Sequence, residues 1–280
     1  MTQLPLLWGV PQAPEATADW VTRDGLNAPR GMHRVLLTLS YDGTAYAGWQ
    51  RQLNAMTVQQ KLEEALLALT GERITVMGAS RTDAGVHALG QCAHFDTRSS
   101  IPAARYPNAL NTCLPPDIRV LQGQAVGETF HARFDAKGKQ YVYRIYNARQ
   151  SSALLRNLTA HVPVPLDVAA MQAALPLLLG THDFAAFQAS GGTAKSTVRT
   201  LTHATLMQAG AELVLSVQGN AFLYNMVRTI AGTLMDIGKH KLDADCFRRA
   251  LQTGDRLTLG VTAPACGLTL VRVLYTTAAL

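Results

Sequence analysis

Residues Arg34 to Tyr41 set Val35, Leu37, Leu39 and Tyr41 on one face and Leu36, Thr38 and Ser40 on the other, and the stretch from Thr57 to Gly71 then changes to a period of 3.6. A period of two that gives way to a period of 3.6 describes a strand followed by a helix that must cover it, so the folded body opens as a β-α arrangement. Thr57 with Gln60 reads as a capping box, Val58, Leu62, Ala65, Leu66 and Leu69 line one helical face, and Gly71 stops the helix.

The same alternation of periods runs through the chain. Strands are predicted at Ile74–Ala79 and Ala88–Asp96, a Pro102-initiated helix to Cys113 that bends near Pro107, and a strand at Ile118–Val126. Lys139–Tyr146 follows as a strand, Asp167 caps a helix ending at Gly180, and Val198–Met207 pairs through Gly210 with Leu213–Val217. Asn220 is expected to cap a helix reaching Gly238, before a helix from Asp243 to Thr253 and a last strand, Leu268–Tyr275. The fold class is therefore α+β, a mixed α/β chain of two ferredoxin-like β-α-β-β-α-β halves, the second with one added helix. The expected boundaries are a flexible tail over residues 1–32, an N-terminal half over 33–136 and a C-terminal half over 137–280. The long connections Ala148–Leu166 and Ala185–Thr197 are expected to be loops.

Between the strands at 74–79 and 88–96 lies a polar turn, Arg81-Thr82-Asp83-Ala84-Gly85-Val86-His87. A sheet on either side can aim it, Gly85 gives it backbone freedom, and Asp83 is the carboxylate it presents. Taken alone, an Asp two residues before a Gly also suits an ordinary turn in which the carboxylate caps a backbone N–H.

Composition limits the partners. At 280 residues and 48% hydrophobic the chain can bury a large core. Its net charge of +6 favours a polyanionic partner, and the first 32 residues carry two bases against three acids, so the excess belongs to the body. No transmembrane run is present in the sequence, and the opening segment has no basic leader pattern, so no membrane association is expected. Cys92, Cys113, Cys246 and Cys266 are far apart with no His at ligand spacing. Neither a metal site nor a disulfide framework is expected, the setting is read as cytoplasmic, and each cysteine is read as a small packed side chain.

The turn around Asp83 resembles the active-site motif of the tRNA pseudouridine synthase A family. Tyr41-Asp42-Gly43, Gly48-Trp49-Gln50-Arg51-Gln52 and Val58-Gln59 resemble that family's opening segment. Phe130-His131-Ala132-Arg133-Phe134 with Tyr141, and Asn220-Ala221-Phe222 with Met226-Val227-Arg228, are similar to its later motifs. Ser80 departs from the pattern, where the family usually has Gly.

The resemblance implies two α/β halves whose sheets join across a central RNA-binding catalytic cleft. It implies a homodimer acting on tRNA, with uridines 38, 39 and 40 of the anticodon stem-loop as substrate. It makes Asp83 the catalytic residue, Tyr141 the active-site tyrosine that packs on the flipped base, and Arg228 the active-site arginine. Arg228 lies on a predicted stripe with Ala221, Asn225 and Gly232, where small neighbours let a helix approach a facing loop.

Pseudouridine formation breaks an N-glycosidic bond and rejoins the same base through carbon, so it is expected to need no cofactor. A carboxylate serves that reaction either as nucleophile at C1′ or as base at C2′, and both routes stay open. Arg81 and Arg51 are expected to contact phosphate or hold the loop, and His87 reads as structural. Phosphate affinity is assigned to Lys137, Lys139, Lys239, Lys241, Arg248 and Arg249. The alternatives are a synthase acting on another RNA and a non-catalytic RNA-binding module. The second lacks the aromatic signature of an RNA-stacking sheet and gives the Asp83 turn no purpose.

Overall fold

The computed structural model describes residues 28–29, 31–192 and 194–275. The expected tail lies outside the described residues apart from 28–29 and 31–32. The chain divides into two compact units, one being Gly138–Thr269 and the other holding the described residues up to Lys137 together with the segment from Leu270. Both are α+β.

In the N-terminal unit the order is β1 (His33–Tyr41), α1 (Val58–Thr70), β2 (Met77–Gly78), β3 (His87–Thr97), α2 (Tyr106–Cys113) and β4 (Ile118–Val126). β1 pairs antiparallel with β3 on one side and with β4 on the other, and β2 pairs with β3. The expected strand at 74–79 shrinks to two residues. At the other end of α1, Thr57 accepts from the Gln60 N–H and Gly71 takes φ 75, as the capping pattern requires. Only half of the capping box forms, because the Gln60 side chain turns to Glu64. The helix predicted from Pro102 begins as a 3-10 turn, Ala103–Arg105, and becomes α only from Tyr106, with Pro107 accommodated in its first turn.

The helices cover one face of this sheet: Phe95 on β3 meets Tyr106 on α2 edge to face at 5.3 Å. Residues 127–135 cover the other face. Arg34 forks onto Asp96 at 2.7 and 2.8 Å and donates to the Phe130 carbonyl at 2.6 Å, while His94 Nδ1 accepts from the Ala132 N–H. The Tyr275 hydroxyl donates to the Ala132 carbonyl. The register of β1 on β4 shifts between Thr38 and Leu39, and Asn111 of α2 reaches β4, where its carboxamide holds both the N–H and the C=O of Val120.

The C-terminal unit contains β5 (Gly138–Asn147), β6 (Ala160–Val162), α3 (Val168–Ala174), β7 (Gly180–Asp183), β8 (Val198–Ala209), β9 (Glu212–Gly219), α4 (Met226–Gly238) and α5 (Cys246–Thr253). Its strands run in the order β5-β9-β8-β7, with β6 parallel to β5. The hairpin through Gly210 forms as expected. The helix expected to reach Gly180 ends at Ala174 and tightens into a 3-10 turn, because Pro176 removes an N–H and clashes with the preceding turn. Gly180 instead opens β7, and each of the two expected long loops carries a short regular element, β6 and a 3-10 turn at Ala185–Phe187.

The last strand, β10 (Leu268–Leu274), is expected in the second half, yet from Leu270 onward it belongs to the N-terminal unit. Cys92 and Cys246 are packed, as read, but Cys113 is exposed at the end of α2. Among the described residues no helix is long and apolar enough to cross a membrane.

Candidate active site

The turn that carries Asp83 is held by groups far from it in sequence. β2 and β3 pair Met77 with His94 and Gly78 with Ala93, and the Ala79 N–H donates to the Cys92 carbonyl. One step on, a side chain replaces the ladder: the buried Gln91 carboxamide accepts from the Ser80 N–H at 3.2 Å and donates to the Ser80 carbonyl at 2.6 Å. Thr82 is buried and shares a 2.7 Å hydrogen bond with the Tyr41 hydroxyl, and its carbonyl accepts from the Trp49 N–H. The Asp83 carbonyl then accepts from Val86, which closes a tight turn with Gly85 at φ 75. Asp83 itself is half-buried. Ser80 is not among the residues with positive φ, so the departure from Gly carries no backbone strain.

The 43–49 segment lies against this turn. Gly48 sits at φ +93, and a Cβ there would stand 2.6 Å from the Thr82 carbonyl oxygen and 3.1 Å from the Asp83 carbonyl carbon. Its backbone conformation and its closeness both require Gly. Tyr41, Gly43, Gly48 and Trp49 carry the family resemblance, and the structure adds this mechanical role to them, whereas Gln91 belongs to no motif. The signal for Gln91 was a polar amide inside an otherwise buried strand.

His87 is buried, and its Nδ1 accepts from the Gly43 N–H at 3.0 Å, with Asp42 Oδ1 at 3.1 Å. Partial burial opposes ionisation of Asp42, but the bonds from the Thr44 hydroxyl and N–H outweigh it and hold the carboxyl below its usual value. A histidine used in this way acts as a brace for the 42–43 turn. Arg51 pairs with Glu63 at 2.8 Å, and Glu63 also accepts from the Val76 N–H and the Gln59 amide. The Arg51 side chain remains 54% exposed, so one edge of its guanidinium holds the loop and the other faces solvent. Arg81 is exposed and has no hydrogen bond or ion pair among the described residues.

In the C-terminal unit Tyr141 lies on β5 opposite Val217, buried, with its ring edge-on to Phe222 at 5.1 Å and 81°. Arg228 is the third residue of α4. Its Nη1 donates to Asn225 Oδ1 at 2.7 Å and its Nε to the Ala263 carbonyl at 2.8 Å, while the Ala263 N–H donates to the Arg228 carbonyl. These bonds fix the plane of the guanidinium. The expected cap at Asn220 does not form: the helix starts five residues later, behind Asn225, which lies in the left-handed region at φ 61. Asn220 instead accepts from the Thr200 and Ala221 N–H groups. The expected close approach is real at Gly232, where a Cβ would lie 1.7 Å from the Val261 carbonyl oxygen. Ala221, placed on that stripe by the sequence, lies outside the helix.

The bases assigned to phosphate differ in how far they are available. Arg248 and Arg249 pair with Asp245 and Asp243, and Lys239 lies 3.5 Å from Asp236. Lys137 and Lys241 are exposed, Lys139 is half-buried, and Lys239 and Lys241 line a shallow groove with Val162, Pro163 and Pro165.

A family model described as tRNA pseudouridine synthase matches residues 38–135 and 174–276, which include Asp83 in one unit and Arg228 in the other. A tRNA pseudouridine synthase A of Acetivibrio thermocellus is 51% identical over 244 residues, 87% of this chain and all of that protein. The protein of that name from Ruminiclostridium cellulolyticum is 48% identical over the same shares of both chains. The one from Halalkalibacterium halodurans is 48% identical over 85% of this chain and 90% of its own. The chain belongs to the tRNA pseudouridine synthase A family, a family of isomerases.

Proposed function

We propose that the chain converts uridine to pseudouridine in tRNA, at positions 38, 39 and 40 of the anticodon stem-loop, with the Asp83 carboxylate as catalytic group. The observation that carries the reading is the turn itself: Gln91, Tyr41, Trp49 and Gly48 all serve to fix the backbone on either side of Asp83. A carboxylate in a merely structural turn needs no such bracing. Two ferredoxin-like halves fit the strand orders β4-β1-β3, with β2 on β3, and β5-β9-β8.

In this reaction the bond from N1 to C1′ breaks, the freed uracil turns, and C5 bonds to C1′. C5 loses a proton and N1 gains one, so the sum is an isomerisation. Asp83 acts as the nucleophile at C1′ or as the base at C2′. Tyr141, kept in place by Phe222, packs on the extruded base, and Arg228, its guanidinium plane fixed by Asn225 and Ala263, serves as the active-site arginine. Arg81, exposed beside Asp83, and the solvent edge of Arg51 contact the substrate backbone. A cytoplasmic homodimer with tRNA as its macromolecular partner completes the proposal.

Asp83→Asn is nearly isosteric but neither nucleophilic nor basic at neutral pH. It is expected to lower pseudouridine formation by at least ~10²-fold with tRNA affinity within a few-fold of the parent, read by nucleotide-resolution mapping and equilibrium binding. Turnover above about a hundredth of the parent rate would remove Asp83 from the chemistry. Pseudouridine mapped at other positions would redirect the reading to a synthase for another RNA site.

A further inference from the structure

Residues 130–135 build an aromatic column on the face of the N-terminal sheet that the helices leave uncovered. The His94 ring, rising from β3, meets His131 edge to face at 4.7 Å, and His131 meets Phe134 at 4.2 Å with 31° between planes. The two histidines are buried, but Phe134 is 50% exposed, and the Arg133 guanidinium lies 5.9 Å from its ring centre.

Every backbone N–H from His131 to Asp135 is bonded beneath it. His131 Nδ1 accepts from both the Arg133 and Phe134 N–H groups, Asp135 accepts from the His131 N–H, and the Asp135 N–H donates to the His131 carbonyl. The ring at the top is therefore held in one place before any ligand arrives, and ligand binding does not have to order it.

A single exposed apolar side chain is ordinary. This one differs in three respects. It ends a rigid stack, it stands beside an exposed arginine whose guanidinium makes no hydrogen bond or ion pair among the described residues, and the exposed Lys137 follows in the same segment. A flat π-face flanked by cations is the chemistry that receives an unpaired nucleobase on a phosphate chain.

Its place fits the same use. Met77 stands directly opposite His94 in the ladder, so both side chains leave the sheet on one face, and Met77 is 45% exposed. From Met77 to Asp83 is six residues, which span at most about 20 Å of extended chain. One strand of RNA can reach both places.

We propose that Phe134, with Arg133, is a stacking platform for an unpaired base of the substrate RNA, a neighbour of the nucleotide at Asp83. This rests on the RNA-modifying function proposed above. The probe is an unmodified tRNA transcript with uridine at 38, 39 and 40, added to the full-length protein, with equilibrium affinity and pseudouridine formation measured separately.

Phe134→Ala and Phe134→Leu should each weaken binding by about 5- to 100-fold, the worth of one stacked base, and Phe134→Trp should stay within about threefold of the parent. Arg133→Gln should weaken binding several-fold. Melting temperatures of all four should match the parent, since the altered groups are exposed. Binding within twofold for Phe134→Ala and Phe134→Leu overturns the platform, and so does a loss that follows a lowered melting temperature and is not rescued by Trp. If the parent protein binds the transcript but forms no pseudouridine, the proposed reaction fails while the binding series still decides the platform. A parent protein that does not bind the transcript overturns the platform as well.

Discussion

The Asp83 turn and the start of α4 each fix one polar side chain, and they do so by opposite means. Arg228 is gripped from its own neighbourhood: Asn225, three residues back, accepts from its guanidinium, and the Ala263 carbonyl accepts from its Nε. The Asp83 turn closes on a backbone bond from the Val86 N–H to the Asp83 carbonyl. Its shape comes from Tyr41, Gly43, Gly48, Trp49 and Gln91, which arrive from β1, from the connection after it and from β3. A helix start is a local structure that tertiary contacts trim, whereas a functional loop is a tertiary structure that happens to be continuous in sequence. Substitutions should therefore act at a distance on the turn and only locally on the helix.

The largest effect is expected from Gly48→Ala. The added methyl meets the Thr82 carbonyl in a backbone conformation that alanine resists, so the turn must shift, and a displacement of about 1 Å is worth roughly 10²-fold in turnover. Pseudouridine formation per folded molecule measures it, and near-parent turnover would break the claim that the 43–49 segment sets the turn. Gln91→Leu comes next. It removes both hydrogen bonds that the carboxamide makes to the buried Ser80 backbone, at about 1–3 kcal/mol each, so the denaturation free energy should fall by roughly 2–6 kcal/mol. An unchanged denaturation midpoint would show that water replaces the amide.

The same unit should also lose stability in acid. Burial first, then Arg34 and His131, push His94 down to about 3, and burial with Arg34 lowers His131 as well. Below about pH 6.5 the unfolded chain takes up protons that the folded chain refuses, so stability present at neutral pH is lost as pH falls. The slope is up to about 1.4 kcal/mol per pH unit for each histidine. Denaturant titrations at pH 7, 6 and 5 should show it, and His94→Gln should flatten it. The smallest effect separates the two roles of Asn225. Asn225→Gly keeps the left-handed conformation and loses the bond to Arg228, whereas Asn225→Ala loses both and should be less stable by about 1 kcal/mol. Equal stability of the two would remove the backbone argument.

The comparison also explains what the sequence revealed. α1 was legible to the residue, because Thr57, the apolar face and Gly71 are all local signals. The start of α4 was not, since Asn220 and Asn225 are equally good capping residues and only the tie from Asn220 to Thr200 on β8 decides between them. The strand before Asp83 was overestimated because Ile74 and Val76 are buried against helix and sheet without joining a ladder. Asp83, Tyr141 and Arg228 were singled out by motif. No periodicity or propensity shows that Gln91 would take over where the β2 ladder stops, because a side chain that substitutes for a strand leaves no repeat.

The division of β10 has a consequence for synthesis on the ribosome. The N-terminal unit contains residues from Leu270 onward, so it lacks its own last strand until about 130 further residues have followed Lys137. At translation speeds of about 5–20 residues per second the edge of β3 that receives β10 waits on the order of 7–27 s. During that interval the part of the β3 edge that β2 leaves open is offered to any other extended chain. Slow translation of the second half should therefore lower the yield of folded protein, and trigger-type chaperones that shield nascent edges should matter more for this chain than its final stability would indicate.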